Sequence, residues 1–180
     1  MFLDRDGTLI REAGYLSRLE DLEVLPGVPG ALRRLEAAGY LRVGVTNQSG
    51  VARGYYDLAF VRRTHDEIDR RLAREGASVD RWYVCPHHPD LTGPCGCRKP
   101  EPGLLHRAAA ELGVDLSRSW VVGDKPADVD LALRAGCRAA LVRTGYGRET
   151  EQALRLGGRL PGVVADTLAE AVEEIIGNAP

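Results

Sequence analysis

Six residues at four places in the chain have the types and settings needed to transfer a phosphoryl group. Asp4 and Asp6 follow the apolar Met1-Phe2-Leu3 and are followed by Gly7-Thr8-Leu9. Two carboxylates one residue apart share a face if the chain stays extended through Arg5, because successive strand side chains alternate. Such a pair repels itself unless a cation, a shared proton or phosphate chemistry makes it tolerable. Asp4 is the candidate nucleophile, since a carboxylate can attack phosphorus and form an aspartyl-phosphate. Asp6 is the candidate acid and base, protonating the leaving oxygen and later activating water. Thr46 and the loop amides after it can donate to phosphoryl oxygens, and Lys99 supplies fixed positive charge. Asp124 and Asp128, with Asp4 and Asp6, complete an oxygen-rich cage suited to Mg2+. Each residue also has a plainer role open to it: Asp124 could cap the helix opening at Pro126, and Lys99 could lie on the surface. Their placement together argues for one site.

Three of the four cysteines, Cys85, Cys95 and Cys97, crowd around His87 and His88, while Cys137 stands alone. In a chain with no export signal this clustering points to metal ligation rather than disulfides. Three thiolates and one imidazole make a closed tetrahedral Zn2+ site with no open position for chemistry. Such a site braces the loop from about 85 to 97 and holds Arg98 and Lys99 toward the crevice. Cys137 is expected to be a small core hydrophobe.

The elements that must position these groups alternate. Strands are expected at the N-terminus, at 41–45, 82–85, 120–122, 139–142 and around 163–164. Helices are expected from Pro26-Gly27-Val28-Pro29 to Gly39, from an Asp57 cap to about Leu72, and over 103–112, 126–135 and 168–176. In the first, Val28, Ala31, Leu32, Leu35 and Ala38 form the apolar stripe; in the second, Val61, His65, Ile68 and Leu72 do, which makes His65 a core residue rather than a catalyst. The stretch from Arg5 to Leu25, with Gly14-Tyr15, is read as a loop or flap near the site. This alternation predicts an α/β fold: a doubly wound, Rossmann-like parallel sheet between two helical layers, with the strand ends gathered at one crevice. No repeat or linker interrupts the chain, so residues 1–180 are expected to form a single domain.

Composition bounds the partners. The chain has 180 residues, net charge −2 and 6% aromatics, which offers no basic face or stacking platform for nucleic acid. No apolar run approaches a membrane span, and the N-terminus lacks the features of a signal peptide, so a cytoplasmic monomer is expected. The first strand is short for a sheet centre, so a few residues are expected upstream of Met1.

Asp4-Arg5-Asp6-Gly7-Thr8-Leu9, Thr46, Lys99 and Gly123-Asp124-Lys125-Pro126-Ala127-Asp128 are similar, in order, to the four signature motifs of the haloacid-dehalogenase-like phosphatases. Thr46-Asn47-Gln48-Ser49-Gly50-Val51-Ala52-Arg53-Gly54, Cys85-Pro86-His87-His88-Pro89, Cys97-Arg98-Lys99-Pro100 and Val142-Arg143-Thr144-Gly145 narrow the resemblance to the sugar-bisphosphate branch of that family. The resemblance covers nearly the whole chain. It implies catalytic Mg2+, an aspartyl-phosphate, no large cap domain and a small sugar phosphate substrate, here a heptose 1,7-bisphosphate losing its C7 phosphate. It implies His87 rather than His88 as the zinc ligand. It also implies substrate contacts from Asn47, Gln48, Ser49, Arg53, Arg98 and Lys125, with Glu12 and Tyr15 contributing from the flap. Two departures leave specificity open: a short zinc loop around Leu91–Pro94, and Ile10 where a polar residue is common. The short loop is closer to the histidinol-phosphate phosphatases, the alternative activity. A nucleic-acid end phosphatase, a zinc-braced binding module and a catalytically dead scaffold fit less well, because the charge for the first two is missing and the carboxylates lost by the third are present.

Overall fold

Strand-forming apolar runs and amphipathic helices alternate along the chain, and the computed structural model describes residues 1–178. The strands are β1 (Phe2–Leu3), β2 (Val43–Asn47), β3 (Arg81–Cys85), β4 (Trp120–Gly123), β5 (Arg138–Val142) and β6 (Val163–Ala165). All pair in parallel in the order β3-β2-β1-β4-β5-β6. The helices are α1 (Val28–Ala37), α2 (Leu58–Ala73), α3 (Pro89–Thr92), α4 (Gly103–Leu112), α5 (Pro126–Ala135), α6 (Gly147–Leu156) and α7 (Leu168–Gly177).

Two cores make the three layers. On one face, α1, α2 and α7 bury Leu32, Leu35, Ile68, Leu72, Val172 and Ile175 against Leu3, Val122 and Ala140. On the other, α4, α5 and α6 bury Leu105, Ala108, Val129, Ala132 and Leu154 against Phe2, Val45, Val121 and Leu141. Strands covered on both sides are apolar throughout, which is why β4 and β5 read as short continuous runs rather than alternations. Asp57 caps α2 as its position suggests, accepting from Phe60 N at 2.6 Å. His65 is buried and stacked on Trp82, with centroids 4.2 Å apart. Burial pushes its pKa down to about 3, so it is a neutral core residue. Cys137 lies in the second core.

Several boundaries differ from the expectation. β2 runs over Val43–Asn47, two residues later than 41–45, because Phe2 pairs with Val43 and Asn47 pairs with Cys85. Leu41 lies outside the sheet and is 40% exposed. Ala38 is the α1 C-cap and exposed, not the end of its buried stripe. Helix α6 has no apolar stripe to announce it: the residues it buries are Gly147, Thr150 and Leu154. Among the described residues no separate cap domain is inserted between strands. The Arg5–Leu25 segment is indeed irregular, with only isolated bridges and one 3-10 turn, and it sinks Ile10 into the core.

Candidate active site

In an open parallel sheet, ligands bind beyond the carboxyl ends of the strands where the strand order reverses. Here that point lies between β1 and β4, and each strand ends in a carboxylate. Asp4 N donates to Val122 O at 2.9 Å, which sets Asp4 beside the end of β4. The chain does not stay extended beyond it. β1 stops at Leu3, and the amides of Leu9 and Ile10 close back onto Arg5 O. Asp4 and Asp6 nonetheless line the same small cavity of about 50 Å³, with Asn47, Lys99, Lys125 and Asp128.

Carboxylate oxygens of Asp4, Asp124 and Asp128 all lie within 4.8 Å of one another, and all three side chains are buried. Lys99 Nζ sits between two of them, 2.7 Å from Asp4 Oδ1 and 2.7 Å from Asp128 Oδ1, and donates to Val45 O at 3.0 Å. Burial opposes the Lys99 charge, but its two carboxylate partners outweigh burial and raise its pKa. Asp124 does not cap α5: Lys125 N donates instead to Asp128 Oδ2, and Asp124 Oδ2 accepts from Tyr146 N at 2.8 Å. Asp124 Oδ1 is buried without a hydrogen-bond partner. Burial raises the pKa of Asp4 to about 6, against the pull of Lys99, and that of Asp124 to about 7, with Asp4 adding to the rise. Among the described residues, Lys99 is the one ammonium in hydrogen-bond contact with any of these three carboxylates. Lys125 stands 3.7 Å from Asp124 Oδ1 and is shared with Glu12, so the group keeps a surplus of negative charge and an oxygen with no hydrogen bond. That donor set fits a divalent cation with oxygen ligands. The cradle is tight: a Cβ on Gly7 would lie 2.2 Å from Asp124 Oδ2, and one on Gly123 would lie 2.2 Å from Asp128 Cγ.

The Asp6 side chain lies outside this carboxylate group. Arg5, itself buried, grips it through Nε to Oδ2 at 3.1 Å and Nη2 to Oδ1 at 2.9 Å, and Gln48 Nε2 donates to Oδ2 at 2.8 Å. Burial alone would raise the Asp6 pKa, yet the Arg5 charge and these hydrogen bonds hold it below the ordinary carboxylate range. The carboxylate is therefore held as a base.

The other expected residues divide into those that face the crevice and those that brace it. A larger cavity of about 350 Å³ is lined by Glu12, Tyr15, Ser49, Arg98, Lys125 and Tyr146, with Asp6, Asn47 and Lys99 at its floor. Lys125 Nζ pairs with Glu12 at 2.6 Å. Thr46 is fully buried behind the wall, where its Oγ1 accepts from Gln48 Nε2 at 2.8 Å, which leaves its own proton to donate. Gln48 and Asn47 touch the cavity, but their polar atoms serve the protein. Gln48 bonds Asp6, Thr46 and Tyr56, and Asn47 bonds both main-chain groups of Lys99. Arg53 lies outside the cavity lining, exposed, against His88 Nε2 at 2.7 Å and over the Tyr15 ring. Sequence reasoning missed Arg5 and Tyr56 as members of the network and Tyr146 as the donor to Asp124. A buried Arg between two Asp residues was the one signal available.

The metal loop leaves β3 at Cys85. Ligand atoms of Cys85, His87, Cys95 and Cys97 lie within 4.8 Å of one another. Their sulfur separations of 3.7, 3.2 and 3.5 Å are too long for disulfides and near the ~3.8 Å edge of a tetrahedron with 2.3 Å Zn–S bonds. His87 Nδ1 stands 3.3 Å from Cys97 Sγ, while His88 is turned toward Arg53. The four side chains could hold zinc. Arg98, just past the last cysteine, donates back to His87 O at 3.1 Å.

This sheet order, with acidic groups at the switch point and a lysine between them, defines a hydrolase of the haloacid-dehalogenase-like class. The HAD-hydrolase-like family model matches residues 96–171. The D-glycero-D-manno-heptose-1,7-bisphosphate 7-phosphatase of Thermosynechococcus vestitus is 44% identical over 97% of this chain and 94% of its own length. The β-heptose enzyme of Pseudomonas aeruginosa is 38% identical over 98% of this chain and 97% of its own. The solved D,D-heptose 1,7-bisphosphate phosphatase of B. bronchiseptica, complexed with magnesium and phosphate, superposes with a TM-score of 0.90 at 39% identity, covering 99% of this chain and 98% of that one. The chain belongs to the family of D-glycero-D-manno-heptose-1,7-bisphosphate 7-phosphatases within the HAD-like hydrolases.

Proposed function

We propose that this protein is a Mg2+-dependent phosphatase that removes the C7 phosphate of D-glycero-β-D-manno-heptose 1,7-bisphosphate through an aspartyl-phosphate on Asp4. The observation that carries the chemistry is the buried Asp4–Asp124–Asp128 group around Lys99 at the ends of β1 and β4. The substrate follows from full-length similarity to relatives named for that heptose, most of them for its β anomer.

Arg5 N and Lys99 Nζ both contact Asp4 Oδ1, so Oδ2 is the oxygen with no such tie and is the one placed to attack phosphorus. Asp4, Asp124 and Asp128 would hold Mg2+, which when bound offsets their charge and stabilises the charge on the phosphoryl oxygens. Lys99 fixes the attacking carboxylate and adds positive charge on the far side. Asp6 carries a proton into the first step and gives it to the departing sugar oxygen. The carboxylate left behind, which Arg5 and Gln48 stabilise, regains a proton from the water that hydrolyses the aspartyl-phosphate, so the cycle closes. The small cavity suits the reacting phosphate. The larger one offers Glu12, Ser49, Arg98 and Lys125 to the sugar hydroxyls and the second phosphate. The Cys85–His87–Cys95–Cys97 group, with zinc, braces the loop that carries Arg98 and Lys99.

No helix among the described residues is long and apolar enough to cross a membrane. With a phosphorylated sugar as substrate, we read the protein as a cytoplasmic enzyme.

Phosphate release from both anomers of heptose 1,7-bisphosphate and from histidinol phosphate, with added Mg2+ and without, tests this reading. The expected result is Mg2+-dependent release from C7, with the β anomer preferred over histidinol phosphate by ~100-fold, the scale a few polar contacts can set. Preference for histidinol phosphate would overturn the substrate, and release from none of the three would overturn the chemistry.

A further inference from the structure

Asp6 is steered from the β2–α2 connection, through Gln48 and a tyrosine that lies outside the motifs quoted above. Gln48 Nε2 donates both to Asp6 Oδ2 and to Thr46 Oγ1, each at 2.8 Å, and Tyr56 Oη donates to Gln48 Oε1 at 2.9 Å. Chemistry fixes the polarity of this chain of bonds. An ionised carboxylate only accepts, so the Gln48 amide must turn its NH2 toward Asp6; its carbonyl then faces Tyr56, whose hydroxyl must donate. Gln48 is 2% exposed, and both ends of its amide are engaged within the protein, so little of it is left for substrate. Tyr56 is held just as firmly. Its ring covers Gly50 so closely that a Cβ there would lie 2.3 Å from Tyr56 Cζ, and it packs 5.5 Å from the Phe60 ring. Burial pushes its hydroxyl pKa up to about 12, so it stays a donor through the working range of pH. On the opposite side, Arg5 donates once to each Asp6 oxygen, which leaves one lone pair of Oδ1 for the proton that Asp6 transfers.

We propose that Tyr56 is a positioning residue: through Gln48 it aims the Asp6 carboxylate at the leaving oxygen and the attacking water. The proposal rests on the reading of Asp6 as the acid and base. The chain of bonds also joins two separate parts of the site. Gln48 leaves the end of β2, Tyr56 lies at the approach to α2, and Asp6 follows β1, so a hydroxyl on one loop sets a carboxylate on another.

Tyr56→Phe deletes only the hydroxyl and keeps the packed ring. On whichever of the three phosphates above is turned over, it should lower kcat by ~10-fold, a fraction of what an acid–base group supplies, while KM stays within ~2-fold. Gln48→Met, of similar volume but without the amide, should cost about as much or more. The double variant should be no worse than Gln48→Met alone, because a path cut twice is lost once. An unchanged melting midpoint in Tyr56→Phe shows that the fold is intact. A KM rise with kcat kept would make Tyr56 a substrate contact, and losses that multiply in the double variant would place it outside the path; either result overturns the proposal. Asp6→Asn, measured alongside, separates the two levels. If it retains kcat within ~3-fold, the acid–base reading itself fails, since such a group contributes ~10²-fold or more. If it falls as expected while Tyr56→Phe matches the wild type, only the positioning role fails.

Discussion

Asn47 and Lys99 exchange a pair of hydrogen bonds: Lys99 N donates to Asn47 Oδ1 at 3.0 Å, and Asn47 Nδ2 donates to Lys99 O at 3.2 Å. One side chain at the end of β2 thus satisfies both main-chain groups of a residue 52 positions away, at the exit of the metal loop. The Lys99 side chain then returns to Val45 O on the same strand and to Asp4 and Asp128. The backbone clamp and the ion pairs act on one residue, so the loop and the carboxylate cage hold each other in place.

Removing the clamp should therefore cost both stability and rate. Asn47→Ala leaves a largely buried N–H and C=O without partners, which is worth about 1–3 kcal/mol. Urea unfolding should show that loss, and kcat should fall more than KM rises because Lys99 is no longer fixed over Asp4. A variant with wild-type stability and kcat but raised KM would instead make Asn47 a substrate ligand.

The loop should depend on its metal. Cys95→Ala removes one of four ligands, so bound zinc should fall well below one per chain and the melting midpoint should drop. Activity should drop by at least ~10-fold, as for other changes in the support of a site, although Cys95 lines neither cavity. Metal analysis showing full zinc content in this variant would remove Cys95 from the ligand set.

Magnesium and pH should be linked in a set direction. Without the cation, burial raises Asp4 to about 6 and Asp124 to about 7, above their values in the unfolded chain. The folded state then binds more protons than the unfolded state between roughly pH 4 and 7, so stability falls as pH rises through that window. Mg2+ requires the ionised carboxylates, so it restores stability where they are charged and competes with protons where they are not. Calorimetry in magnesium-free buffer and in MgCl2 should give melting midpoints that nearly coincide near pH 5 and separate progressively toward pH 8. A gap that narrows with rising pH would contradict the assignment of the cage.

Close approach makes Gly7 irreplaceable. It has φ +85°, and its missing Cβ would fall 2.2 Å from Asp124 Oδ2. Gly7→Ala adds the ~1–2 kcal/mol penalty of a left-handed backbone to a displaced carboxylate. Titration calorimetry should show weakened Mg2+ binding as well as lower stability. Wild-type affinity for Mg2+ would mean that Asp124 is not a ligand.

Much of this architecture is legible in the residues because motif and structure coincide at strand ends. Asp4, Thr46 and Asp124 follow expected strands, so the alternation of strands and helices alone gathers them at one crevice. Lys99 is placed there by following the cysteine loop and by its order among the motifs, and the cysteine spacing marks a metal loop that the geometry supports. Other features depend on tertiary pairing that periodicity cannot encode. The start of β2 is set by its register with Phe2, not by the apolar Leu41. Helix α6 meets the core through Gly147, Thr150 and Leu154, a face with too little apolar surface to stand out from its charged neighbours. The roles of Asn47 and Gln48 were hidden for a different reason. A polar residue at the mouth of a crevice looks the same in sequence whether its amide meets a substrate or, as here, a backbone and a carboxylate.

The claim on which the rest depends is that Asp4 accepts the phosphoryl group. Wild-type protein mixed with substrate and Mg2+, quenched in acid within a turnover and digested, should yield an N-terminal peptide carrying one phosphoryl group on Asp4. The same peptide from Asp4→Asn should carry none, and turnover should fall by on the order of 10⁴-fold or more, as when other nucleophiles are removed. An Asp4→Asn protein that turns over within ~10-fold of wild type, with no phosphorylated peptide from either, would contradict the account.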